Sequence, residues 1–286
     1  MREGQFSLDG YVFGLPSDRV TVLTEGLEVG GWESRTQDEL DPMGDRRWFG
    51  RDFKTPATWT FTMLVHDDNG YGPHVQQLAS AWSADRVRST PQRVSRLDYC
   101  RGGEVRSVTG RPRSFAYVGF DADLQAQVVT GAFDLATPVT YGAERSTVLR
   151  LPVQSVSGFT VPLRVPFTLG ASLGGRTALV DAGPAPVPFT ATILGPVTGV
   201  ATSVSLVGAG WQVHLLASLT AGQRVVWESG TGVITLDGAP ATRHVTPGSD
   251  LVADLPGGVS EVQFSAADAS LSTVCHLTWR DGKHLI

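Results

Sequence analysis

The sequence predicts a mainly β chain in two parts, on three observations. Short runs of alternating apolar and polar residues recur along most of its 286 residues. Turn-forming residues separate them, with 33 Gly and 17 Pro in the chain. One window alone shows convincing helical spacing, and charge density falls sharply near residue 160: residues 1–160 hold 17 Lys/Arg and 20 Asp/Glu, the remainder 6 and 8.

The first part, residues 1–160, opens with DRVTVLTEGLEVGGW, an alternating stretch that breaks at paired glycines. TWTFTMLVHDDNG is a strand with Trp59, Phe61 and Met63 on one face, closed by Asp68-Asn69-Gly70. The helix follows, expected over about 73–84. Pro73 suits the first helical position. Val75, Leu78, Ala79 and Trp82 form an apolar stripe that would dock on a sheet. RVSRLDYCRGGEVRSVTGRPRSFAYVGF reads as a hairpin around Arg101-Gly102-Gly103, and LQAQVVTGAFDLA and RSTVLRLPVQ continue the strands.

The second part, residues 161–286, begins in the Pro/Gly-rich junction VPLRVPFTLGASLGGRTALVDAGPAPVPF and has no helical period. FTATILGPV, TSVSLVG, WQVHLLASL, QRVVWESG, GVITLDG, VSEVQFSA and STVCHLTW are short strands at roughly regular spacing. Gly230-Thr231-Gly232, Asp237-Gly238 and Pro256-Gly257-Gly258 mark turns between them. That spacing predicts an antiparallel sandwich. Within it, Val225 and Trp227 share one face, opposite Ile234 and Leu236 across a turn.

Composition excludes several classes. A net charge of −5 gives no general reason to expect nucleic-acid binding. Two cysteines make no disulfide framework; Cys275, in alternation with Thr273, Leu277 and Trp279, reads as a core thiol. MREGQF carries no apolar signal region, and no apolar run is long enough to span a bilayer. Synthesis and folding in a cytoplasm are therefore expected. Of the cations, only Lys54 and Lys283 are lysines.

Motifs for chemistry are weak. Gly170-Ala171-Ser172-Leu173-Gly174 matches G-x-S-x-G, but prolines follow where a nucleophile elbow needs a helix, so a glycine-rich turn fits better than a hydrolase using Ser172. His66-Asp67-Asp68 with His74 lacks metal-ligand spacing and reads as a strand end and turn. Asp121-Ala122-Asp123 reads as a polar strand end, and neither Gly208-Ala209-Gly210 nor Gly282-Lys283 has the context of a nucleotide-binding loop. No catalytic, cofactor or metal residue is assigned. Eight arginines between Arg86 and Arg113 read as a solvated face or subunit interface, for which QDELDPMGD, Gln37 to Asp45, would supply carboxylates in trans. Trp211 and Trp227 are the possible glycan contacts, since sugar rings stack on exposed tryptophans.

The combination of segments resembles the distal tail proteins of long, non-contractile-tailed phages, particularly minor tail proteins of phages infecting actinobacteria. In the first part the resemblance rests on EGLEVGGWESRTQDELDPMGDRRWFGRDFKTPATWTFTMLV, the helix with Trp82, and VTGRPRSFAYVG. In the second it rests on VDAGPAPVPFTATILGPV, LTAGQRVVWESGTGVITLDG, HVTPGSDLVADLPGGVSEVQF and HLTWRDGKHLI. Asp181 stands where that family often carries Asn; both residues serve turns.

The resemblance implies an N-terminal β-rich, tube-like domain with one helix, followed by a galectin-like antiparallel β-sandwich. It implies a structural virion protein, not an enzyme, assembled in the host cytoplasm and placed at the tail tip. Its partners would be itself, as a homo-hexameric ring, with the tail tube protein, the tape measure protein and a baseplate hub or tail-tip protein. Genomic DNA would pass through the lumen without specific binding, and no membrane insertion is expected. Arg46, Arg47, Trp48, Arg111 and Arg113 are the candidate subunit or tube contacts, and the arginines are expected to be mostly paired or turned from the bore. The alternative reading is a carbohydrate-binding module for host cell-surface glycans.

Overall fold

The computed structural model describes residues 1–66, 72–121, 123, 126–151, 176–197, 203–266 and 272–285. Two compact units divide the chain: Met1–Ala143 with Lys283–Ile286, and Glu144–Gly282. The expected boundary near residue 160, the turn at Asp68–Gly70 and the G-x-S-x-G segment all lie outside the described residues.

The first unit runs β1 (Phe6–Leu8), β2 (Tyr11–Phe13), β3 (Val20–Val29), β4 (Glu33–Arg35), β5 (Glu39–Leu40), β6 (Arg47–Trp48), β7 (Phe53–Thr55) and β8 (Thr58–Val65). Helices α1 (Pro73–Ser83) and α2 (Asp85–Arg88) follow, then β9 (Ser95–Arg101), β10 (Glu104–Asp121), β11 (Ala126–Leu135) and β12 (Val139–Arg150). The unit division falls inside β12. Pairing is antiparallel: β3 with β8, β8 with β11, and β11 with the second half of β10. The first half of β10 pairs with β9, which also carries β1. Gly102 and Gly103, both at positive φ, make the two-residue turn between β9 and β10 that was expected there.

The apolar alternation of β8 buries Trp59, Phe61 and Met63, as the sequence predicts. Helix α1 buries Val75, Leu78 and Trp82 on the same core. Trp82 sets its ring edge-on to Phe13 and Phe61, at 6.1 and 5.6 Å between centroids, and donates its indole N–H to the Ala132 carbonyl at 3.2 Å. Each such side chain contributes about 1.5–3 kcal/mol by burial. The helix ends where Ala84 turns left-handed, at φ 45°. The single-turn α2 just beyond was not foreseen; four residues are too few to show a period.

The second unit runs β13 (Arg176–Asp181), β14 (Phe189–Leu194), β15 (Ser203–Gly208), β16 (Trp211–Leu216), β17 (Arg224–Glu228), β18 (Val233–Leu236), β19 (Ala239–Pro240), β20 (Val259–Ala266) and β21 (Val274–His284), whose last two residues belong to the first unit. One sheet has the order β19-β18-β17-β14-β21, the other β13-β20-β15-β16. Phe189 and Trp227 from the first meet Trp211 from the second, with centroids 4.9 and 5.6 Å from its ring. Interlocking inner rows of two antiparallel sheets make this unit the expected sandwich. Val225 stands opposite Leu236 and Trp227 opposite Ile234. Cys275 is buried, and burial pushes its thiol up to about 12.

Candidate interface surfaces

Between β3 and β8 the first unit extends a hairpin arm. Val29 pairs with Trp59 at the end of the β3–β8 ladder. Beyond it come two short antiparallel pairs: Glu33–Arg35 with Phe53–Thr55, then Glu39–Leu40 with Arg47–Trp48. The tip is a turn built by Asp41. Its backbone N–H donates to the Arg46 carbonyl at 2.8 Å, and its Oδ1 accepts the Met43 N–H at 3.0 Å. No residue from 30 to 58 is buried. Cation–ring contacts help to hold the arm, with the Arg35 and Arg51 guanidiniums 5.3 and 5.2 Å from the Phe53 ring centre and the Lys54 ammonium 4.5 Å from that of Trp32. Such exposed contacts contribute about 0.5–1 kcal/mol each.

The arm's apolar side chains are the unusual feature. Met43 is 94% exposed, Phe49 82%, Leu40 73% and Trp48 62%. Four large apolar groups within ten residues, on an element with no core, make a surface that water does not favour. Arg46 and Arg47 are exposed beside them. The candidate residues Arg46, Arg47 and Trp48 therefore sit together on one protruding strand and turn. Leu40, Met43 and Phe49 were not singled out from the sequence. Their signal was present as apolar residues inside a polar, turn-rich loop with no periodicity to bury them.

Arg111 and Arg113 lie elsewhere, on β10, and their guanidiniums are engaged within the chain. Arg111 donates to the Arg93 carbonyl at 2.8 Å and to the Thr90 carbonyl at 2.9 Å, pinning the connection between α2 and β9. Arg113 pairs with Asp134 on β11 at 2.8 Å. Arg88 donates to the carbonyls of Pro112 and Arg113, and Arg96 pairs with Asp98 at 2.6 Å. Arg106 is buried and bonds both the hydroxyl and the carbonyl of Thr140, at 3.0 and 2.9 Å. Much of the arginine cluster is thus bonded to its own fold, because β10 crosses loop carbonyls that need donors.

Trp211 and Trp227 correct the glycan expectation. Both are buried in the sandwich core, and Trp227 donates its N–H to the Leu251 carbonyl at 2.8 Å. Neither presents a ring face on which a sugar can stack. A tryptophan in a short alternating strand gives the same sequence pattern whether it points in or out; the inward face won here because Phe189 and Ile234 share it.

Electrostatics tie down the ends of the first unit. Lys283 Nζ lies 2.8 Å from Glu104 Oε2, and this bond with the lysine charge holds the Glu104 carboxyl below its usual range. Glu3 accepts from the backbone N–H groups of Gly103 and Gly102, which lowers its carboxyl likewise. Among the described residues, no three His, Cys, Asp or Glu side chains are grouped to hold a metal ion.

No protein-family model matches the chain, and no curated protein sequence matches it. Solved structures do. The Dit protein of phage SPP1, described as a paradigm of the hub adsorption apparatus in phages infecting Gram-positive bacteria, matches with a TM-score of 0.60 at 10% identity, over 98% of each chain. A chain of the phage P2 baseplate, solved in its activated conformation with calcium, matches with a TM-score of 0.55 at 10% identity, over 96% of this chain and 97% of that one. The strontium form of that baseplate matches equally well. Across the described residues, this chain has the β-rich fold of the phage SPP1 Dit protein.

Proposed function

We propose that the protein is a structural component of a phage tail, forming a ring, hexameric by the resemblance, at the distal end of the tail tube. It would join the tube and tape measure to the tail tip or baseplate hub, with DNA passing through the lumen. The observation that carries this reading is the exposed apolar arm, on a chain whose fold matches hub and baseplate proteins over nearly its full length. An arm without a core has its apolar surface covered only when a second protein covers it. Heterologous contacts of that kind, repeated around an axis, close into a ring.

The carbohydrate-binding alternative loses its two candidate residues to the sandwich core. The deciding experiment is imaging of assembled particles. Density of sixfold symmetry at the distal tail, fitted by this chain, supports the proposal. Tails whose tip holds no such ring, or a ring that this chain does not fit, overturn it.

A further inference from the structure

We propose that a cavity in the first unit is the socket for the arm tip of a second copy of this chain. This rests on the ring reading and names the residues of one ring contact. The cavity measures about 710 Å³ and lies at the root of the arm, with Leu27, Val29 and Trp59 among its apolar walls. Its size is that of sites that hold a drug-sized ligand. Trp59 is buried among these walls, its ring 5.3 Å from that of Tyr99, which also lines the cavity, so the floor is aromatic.

The charges around the cavity select the occupant. Arg101, Arg106 and Lys283 line it against Glu3, and Glu3 is already bonded to Gly102 and Gly103. With Glu104 counted, which bonds Lys283 and Arg106, the balance stays positive. The occupant is therefore apolar with carboxylates at its flanks. The arm tip has that composition: exposed Leu40 and Met43 stand among Asp38, Glu39, Asp41 and Asp45, which outnumber Arg46 and Arg47 by four to two and form no ion pair among the described residues. Tip and socket are different surfaces of the same chain, so copies joined this way associate head to tail, as a ring requires.

The chain supplies its own reporter, because Cys100 lines the cavity. The test is Met43→Cys in the full chain, mildly oxidised, with products separated without reductant and linked peptides mapped. Expected are covalent multimers joined between positions 43 and 100, reversed by reductant and lost when Cys100→Ser is added. Asp45→Lys should cut their yield by about fivefold. Val252→Cys, exposed on the second unit, is the control for random collision. Equal linkage from that control overturns the proposal, as does a 43–100 link within one chain. Oligomers without a 43–100 link overturn the socket and leave the ring standing. A chain that stays monomeric and unlinked overturns the socket, and the ring is then decided by the imaged tails.

Discussion

The indole of Trp82 fills the space that a side chain at Gly131 would need. A Cβ built on Gly131 stands 2.7 Å from two carbons of that ring. Trp82 is fully buried and hydrogen-bonded to Ala132, so it cannot swing aside. Gly131 sits inside β11, where glycine otherwise weakens a strand. Its presence there is what lets α1 dock on the sheet through a tryptophan. Gly131→Ala should therefore destabilise the first unit by about 1–3 kcal/mol, the cost of overpacking a filled core. Denaturant unfolding followed by tryptophan fluorescence measures it; an unchanged midpoint would show that the helix shifts at no cost.

Trp227 has the corresponding place in the second unit, between Phe189 and Trp211 at 4.9 and 5.6 Å. Trp227→Ala should cost about 3–5 kcal/mol, from lost burial and the cavity left behind. The Leu251 carbonyl also loses its donor. Calorimetry of the purified chain reports this as a lower transition for the second unit. If the variant keeps its stability, the tryptophan is not a core residue and a surface role for it reopens.

The two tryptophan settings show what the sequence could and could not carry. Period-2 alternation grouped Trp59 with Phe61, and Val225 with Trp227, on common faces, and in each strand that face is the covered one. The spacing in α1 placed Val75, Leu78 and Trp82 for the same reason. Alternation sorts residues into two faces without saying which face turns inward, so from sequence Trp211 and Trp227 stay open as surface contacts. Arg111 was equally open: its partners are the carbonyls of Thr90 and Arg93, and a carbonyl has no sequence signature. The arm was legible as an acidic loop, Gln37 to Asp45, whereas its lack of any buried residue is a fact of three dimensions.

The Glu104–Lys283 pair gives stability a pH dependence with a defined sign. The Glu104 carboxyl is lowered in the folded state by its bond to Lys283 and by that lysine's charge. A lowered carboxyl contributes stability that is fully present above its unfolded value, about 4.3, and is lost as pH falls through the lower folded value. Glu104→Gln should therefore lower the melting temperature at neutral pH and make no difference in acid well below pH 4. A difference that persists at the acid end would place the effect in packing instead of charge. Both side chains are well exposed, so the difference at neutral pH should be modest.

Charge and apolar substitutions on Arg111 and Trp48 should separate folding from assembly. Arg111→Glu removes two donors from the Arg93 and Thr90 carbonyls and sets a carboxylate beside them. It should destabilise the first unit by about 1–3 kcal/mol, so any assembly defect would follow from the fold. Trp48→Ser changes an exposed side chain on an arm with no core. Monomer stability should then stay within about 0.5 kcal/mol of the parent. Its assembly should nonetheless fail, because large aromatic side chains dominate interface energies and their truncation commonly costs 2 kcal/mol or more. Arg46→Glu with Arg47→Glu, equally exposed on the arm, should leave monomer stability unchanged in the same way. Unfolding curves beside light scattering or particle counts read both quantities on the same samples. Arm variants that assemble normally would remove the arm from the interface and return the search to β10, where Tyr117, Val118 and Phe120 are exposed.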